Sequence, residues 1–257
     1  MSDLPAGLLH ALTVAAAVPR LLVTSDFDGT LAPIVNNPAD ARPLPDAAEA
    51  LIALAGLPDT ASALISGRAL GVLRSLSGMP STVHLVGSHG AEYTTGFSHD
   101  IDHALLDRIT DELNAIASDR PGVTVETKPA SVALHVRNAS ADDGEAVLAA
   151  AREASSNWAA QPTEGKAVLE FAVIQTDKGE AVDVLRDQEK ASAVVFFGDD
   201  VTDEKAFRRL RDGDVGVKVG PGETLAGYRV ESPEDVAAAL NFLLQAREAV
   251  FGRDNSE

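Results

Sequence analysis

The sequence predicts an α/β fold: a parallel sheet covered on both faces by helices, with a smaller α+β unit inserted into it. Three observations carry that reading. Apolar strand-like runs alternate with helical stretches through the first and last thirds of the chain, two of those runs end directly in paired aspartates, and the middle third changes character.

The elements follow in order. The stretch GLLHALTVAAAVPR lacks a basic segment ahead of it and follows Asp3, so it is expected as an amphipathic helix packed on the domain, not a leader. RLLVTSDF reads as a fully buried strand, PDAAEALIALAGL as a helix, TASALIS as a strand, RALGVLRSLSG as a helix and TVHLVGSHG as a strand. Later, KGEAVDVLRDQ is helical, ASAVVFFGDD is the second strongly apolar strand, DEKAFRRLRD is helical and VGVKVG is a strand. The last stretch, SPEDVAAALNFLLQAREAV, opens with Ser232 as the expected N-cap, Pro233 in the first turn, and Glu234 and Asp235 where the helix dipole favours them. Between these blocks, IDHALLDRITDELNAIASD is helical, GVTVETKPASVALHVRN is a hairpin broken near Pro129, GEAVLAAAREASSN is helical, and KAVLEFAVI is a strand. The expected division is therefore a core of residues 1–97 and 174–257, with an inserted lid of residues 98–173 in which Trp158 is an anchor.

Composition narrows the function. With 21 basic against 39 acidic residues the 257-residue chain carries a formal charge of −18, which repels nucleic acid backbones and anionic membrane surfaces. No apolar run reaches membrane-spanning length, and the absence of cysteine suits the cytoplasm. The expected partner is a small molecule, taken up by a monomer.

In an open parallel sheet, ligands bind beyond the carboxyl ends of the strands. Asp26 and Asp28 follow one strand, Ser66, Gly67 and Arg68 a second, and Asp199 and Asp200 a third, so these groups are expected to converge. Two unit charges about 4 Å apart repel by roughly 1 kcal/mol in water and by several times that at a partly buried site. A cluster of carboxylates therefore demands a cation, and oxygen donors alone point to magnesium. Such a centre suits phosphate chemistry. Ser66 and Thr30 offer hydroxyls, Arg68 a planar fork, and Lys178 a point charge for phosphoryl oxygens. Asp26 is then the expected nucleophile, and Asp28, two residues on, the acid and base.

DFDGTL, SGR, DKG and GDDVTDE, in this order and after these strands, resemble the four signature motifs of the haloacid dehalogenase superfamily of phosphatases. GSHGAEY, ALHVR, GKAVLE, GDDVTDEKAF and VGVKVGPGETLAGYRV extend the resemblance, over nearly the whole chain, to the trehalose-6-phosphate phosphatases. The resemblance implies a Rossmann-like core with a cap, and catalytic roles for Asp26, Asp28, Ser66, Lys178 and Asp199. It implies magnesium held by Asp26, the backbone carbonyl of Asp28, and Asp199, with Asp200 and Asp203 supporting. It also implies that the cap binds the sugar through Glu126, Lys128, Arg137 and Glu170. The family usually follows that glutamate with a basic residue and a proline, where this chain has Phe171, Ala172 and Val173. The implied activity is hydrolysis of trehalose 6-phosphate through an aspartyl-phosphate. The alternatives are a related pseudo-disaccharide or other glycosyl phosphate as substrate, or a non-catalytic metal- and phosphate-binding module.

Overall fold

Uninterrupted apolar runs build a parallel sheet in the first of the two units into which the chain divides, formed by residues up to Gly96 and again from Thr176. The computed structural model describes residues 4–165 and 167–254. This unit begins with α1 (Ala6–Ala16), β1 (Leu21–Ser25), α2 (Pro45–Ala55), β2 (Thr60–Ile65), α3 (Leu70–Ser77) and β3 (Val83–Val86). The two-residue strands β4 (Glu92–Tyr93) and β5 (Gly96–Phe97) follow. The second unit, Phe97–Gln175, contributes α4 (His103–Ala117), β6 (Thr124–Lys128), β7 (Ser131–His135), α5 (Ala141–Ser155), β8 (Gln161–Gly165) and β9 (Val168–Ala172). The first unit then resumes with α6 (Lys178–Glu189), β10 (Ala193–Gly198), α7 (Asp203–Arg209), β11 (Val215–Val219), β12 (Tyr228–Val230) and α8 (Pro233–Asp254).

The six-stranded sheet has the order β12-β11-β10-β1-β2-β3, every neighbouring pair parallel. Alternation along each buried strand divides its side chains between two faces. Val23, Val195 and Phe197 pack with Leu12 of α1, Leu51 of α2 and Leu240 of α8, while Leu22, Val194 and Phe196 pack with Val182 and Leu185 of α6 and Phe207 of α7. Because all six strands run the same way, their carboxyl ends share one edge. β1 lies between β10 and β2, with Ser25 level with both Phe197 and Leu64, so Asp26 emerges at the centre of that edge.

The second unit is an antiparallel sheet of order β6-β7-β9-β8. Val132, Leu134, Leu169 and Phe171 face Leu106 and Ile109 of α4 and Val147 of α5, and Trp158 meets Phe171 edge-on with ring centroids 4.8 Å apart. Trp158 is the buried anchor expected of it, its indole N–H donating to Glu112 Oε2 at 3.0 Å. The expected strand KAVLEFAVI contracts to β9, and Lys166, with which it begins, lies outside the described residues. Among the described residues no helix is long and apolar enough to cross a membrane.

Candidate active site

Local structure delivers each side chain to the sheet edge. The backbone N–H of Asp26 donates to Phe197 O at 2.9 Å, extending the β1–β10 ladder by one residue and fixing where the Asp26 side chain leaves it. Gly29 N donates to Ala32 O at 2.7 Å, so the chain folds back at once after Asp28. Asp177 caps α6, its Oδ1 accepting from the N–H groups of Gly179 and Glu180 at 2.9 and 3.0 Å, which sets Lys178 at the start of that helix. After β10, Asp203 Oδ2 accepts from the N–H groups of Asp199 and Asp200 at 2.9 and 3.0 Å and folds the loop around its own carboxylate.

The result is a buried charge cluster. Lys178 Nζ lies 2.9 Å from Asp26 Oδ1 and 2.8 Å from Asp203 Oδ1, with all three side chains withdrawn from solvent. Asp26, Asp199 and Asp203 each place a carboxylate oxygen within 4.8 Å of the others'. Burial, then the neighbouring charges of Asp203 and Asp199, push the Asp26 carboxyl well above the usual carboxylate range against the opposing pull of Lys178. Burial and the charges of Asp203 and Asp200 likewise push Asp199 up to about 6. For Lys178, burial works downward, but Asp203 and Asp26 outweigh it and hold the ammonium above its ordinary value. Three carboxylates around one ammonium leave the cluster short of positive charge, and its donors are all hard oxygens. That set fits a divalent cation such as magnesium.

Ser66 is buried, and its Oγ accepts from the Arg68 backbone N–H at 3.2 Å. Thr30 Oγ1 donates to Asp199 Oδ1 at 3.2 Å, bringing the hydroxyl onto an acid and not into open space. The Arg68 fork closes on Asp28, Nε to Oδ2 and Nη2 to Oδ1, both at 2.6 Å. Asp200 turns aside: its Oδ1 accepts from Thr202 N and Oγ1 at 2.7 and 2.6 Å, and of the two acids expected in support it is Asp203 whose carboxylate joins those of Asp26 and Asp199. The Asp28 carboxylate also stays outside that group, leaving its backbone carbonyl as the atom the resemblance would bring to a metal.

In the second unit, strand pairing puts Glu126, Ala133, Glu170 and Thr163 in one row and Lys128, Ser131, Ala172 and Gln161 in the next, on the sheet face opposite its helices. Lys128 Nζ donates to Glu170 Oε2 at 2.7 Å, Ser131 Oγ to Glu170 Oε1 at 2.6 Å, and His135 Nε2 meets Glu126 Oε2 at 2.9 Å. Arg137 lies two residues beyond the end of β7 and is exposed. Phe171, where the family resemblance lapses, points to the helices, so of that departure only Ala172 reaches the polar face.

Two groups escaped the sequence reading. Lys218 is buried on β11 and donates its ammonium to the backbone oxygens of Asp199 and Val219, an inward lysine in an apolar run being the signal in VGVKVG. Glu92 is buried, and its Oε2 accepts from Leu70 N and Ser88 Oγ, tying the loop after β2 to the loop after β3.

A parallel sheet with an acid cluster at its carboxyl edge and a separate antiparallel unit is a fold shared with solved haloacid dehalogenase-like hydrolases. A solved hydrolase of that kind from Bacteroides thetaiotaomicron superposes with a TM-score of 0.66 at 13% identity, over 87% of this chain and 98% of its own. The trehalose-phosphatase family model matches residues 24–234, and the chain belongs to that family. It is 36% identical to the trehalose-phosphate phosphatase of Mycobacterium marinum over 92% of this chain, spanning 65% of that protein's length. The C-terminal domain of the Candida albicans trehalose-6-phosphate phosphatase superposes with a TM-score of 0.76 at 24% identity, covering 95% of this chain and 99% of that one.

Proposed function

We propose that the chain is a magnesium-dependent phosphatase that hydrolyses trehalose 6-phosphate, as the names of its relatives suggest. The observation that carries the reading is the Asp26 carboxylate, buried at the central strand's end, paired to Lys178 and grouped with Asp199 and Asp203. The carboxylates of Asp26 and Asp199 and the backbone carbonyl of Asp28 would hold magnesium, which when bound offsets the negative charge shared by these acids and a phosphoryl group.

An Asp26 carboxylate oxygen attacks phosphorus, and the bond from phosphorus to the sugar's 6-oxygen breaks as Asp28 gives that oxygen a proton. The product is a mixed anhydride on Asp26. Asp28, now ionised, takes a proton from water as the water oxygen attacks the same phosphorus, releasing inorganic phosphate and restoring Asp26. Lys178 holds the attacking carboxylate in line and shares its charge with the phosphoryl oxygens, to which Ser66 offers its hydroxyl, while the Thr30 hydroxyl donates to Asp199 instead. The polar face of the second unit, with Glu126, Lys128, Glu170 and the exposed Arg137, supplies donors and acceptors for sugar hydroxyls. Ala172 on that face is the observation that keeps a different glycosyl phosphate in view.

The test is phosphate release from a panel of sugar phosphates with magnesium, with and without a chelator. Trehalose 6-phosphate is expected to be the best substrate and the chelator to stop turnover. Asp26→Asn is expected to lower release by at least about 10³-fold with an unchanged circular dichroism spectrum. A fully active Asn variant would end the covalent mechanism.

A further inference from the structure

The sequence gives Arg68 to the phosphoryl oxygens, but the geometry points elsewhere. Both donors of its side-on fork are taken by one carboxylate, at 2.6 Å each, and that carboxylate belongs to Asp28. Among the described residues no other side chain hydrogen-bonds or ion-pairs with the Asp28 carboxylate. The guanidinium also lies over the Phe27 ring, 5.7 Å from its centroid, and Phe27 is fully buried between the two aspartates.

The backbone of Arg68 is held from both sides. Its N–H donates to Ser66 Oγ at 3.2 Å and its carbonyl accepts from Ser88 N at 2.8 Å. Glu92 binds the N–H of Leu70, two residues on, and at Gly87 a Cβ would lie 2.8 Å from Arg68 O and 2.5 Å from Leu70 N. A Cβ at Gly67 would meet the His89 ring at 2.4 Å. Two loops are thus packed against each other with the Arg68 side chain as the group they aim, and it is aimed at the acid.

We propose that Arg68 is a positioning residue. It holds the Asp28 carboxyl in the orientation from which the proton reaches the leaving oxygen, and it does not contact the transferring phosphoryl group. A side-on guanidinium uses one lone pair of each carboxyl oxygen, so each keeps another for the proton. The rotation of a free aspartate would otherwise be resolved anew at each turnover. This role rests on the phosphatase reading above and refines it.

The leaving group separates the two roles of Arg68. An alkyl alcohol needs a proton to depart, whereas nitrophenolate leaves without one, and kcat/KM reports the step in which either departs. On the full chain with magnesium, Asp28→Asn and Arg68→Ala are both expected to lower kcat/KM by about 10²-fold or more for an alkyl phosphate, and by only a few-fold for 4-nitrophenyl phosphate. Arg68→Lys is expected to resemble the Ala variant, because one ammonium cannot grip both oxygens. The double variant Asp28→Asn with Arg68→Ala is expected to be no worse than Asp28→Asn alone.

Equal losses on both leaving groups, or losses that multiply in the double variant, would overturn the proposal and return Arg68 to the phosphoryl oxygens. Arg68→Met, which keeps the side chain's bulk, carries the same comparison should the Ala variant fail to fold. If the unaltered protein released phosphate from none of these esters, the phosphatase reading itself would fall. An active protein whose Arg68 variants show no leaving-group dependence removes only the positioning role.

Discussion

Gly29 sits at φ 81°, in the left-handed region, and a Cβ built on it would lie 2.2 Å from Asp199 Oδ2. The residue therefore answers two demands, a backbone turn that L side chains resist and the close approach of an acid from a distant strand. Gly29→Ala is expected to cost about 1–2 kcal/mol in backbone strain. The larger effect falls on Asp199, which must move, and turnover at saturating magnesium is expected to drop by about 10²-fold. Phosphate release beside a thermal melt separates the two effects, and unchanged turnover would detach the Asp199 carboxylate from the reaction. Residues of this kind divide by how local their reason is. Asp26, Lys178 and Asp199 stood out in the sequence because each ends or begins an element beside an unusual charge. Asp200 and Asp203 were legible only together, as supporting acids; that Asp203 is the one to join the group depends on which carboxylate the loop's own N–H groups turn inward. The Arg68 fork was legible as a fork but not in its target, because what it grips comes from another strand.

At the scale of elements, α8 is held by more than its apolar face. Arg247 on it is fully buried and donates to the carbonyls of Ala16, Pro19 and Asp59 at 2.8, 3.3 and 2.9 Å, to that of Val18, and from Nε to Thr60 Oγ1 at 3.1 Å. These acceptors lie at the end of α1 and ahead of β1 and β2, on the side of the sheet away from the acids. Arg247→Met keeps much of the volume and removes every donor, so several acceptors are left unpaired in the interior. Unfolding by urea is expected to show a loss of about 3 kcal/mol or more. A loss under about 1 kcal/mol would mean that water replaces the guanidinium. The sequence marks α8 by its period but not by this arginine, whose partners are backbone atoms. Ser232 stands at the expected N-cap position, its carbonyl accepting from Val236 N at 3.2 Å, and the side-chain contact there comes from Asp235, whose Oδ2 accepts from the backbone N–H of Ser232 at 3.2 Å. β8 was missed outright, because QPTEG carries Pro162 and little apolar character. An edge strand tolerates that, and β8 exists through its pairing with β9.

The whole molecule makes its site from segments that only the sheet order brings together, β1 between β10 and β2. That much was legible, since parallel strands must share a carboxyl edge and the acids follow the apolar runs. What the edge contains electrically was not, because the balance of three carboxylates against Lys178 depends on burial. That balance has a consequence for stability. The Asp199 carboxyl, pushed by burial and by Asp203 and Asp200 to about 6 from 3.8, binds a proton more tightly in the folded chain than in the unfolded one. Without a cation, its contribution therefore weakens the fold progressively as pH rises through that window, and stays unfavourable above it. Asp26 and Asp203, both raised by burial, push in the same direction. A bound divalent cation removes this cost most where the acids are ionised, since protons compete for the same oxygens. Magnesium is therefore expected to raise the melting temperature of the chelator-treated protein more at pH 7 than at pH 5, and Asp199→Asn to abolish most of that difference. An equal rise at both pH values, or one that survives in the Asn variant, would place the cation's effect on acids elsewhere on this strongly negative chain.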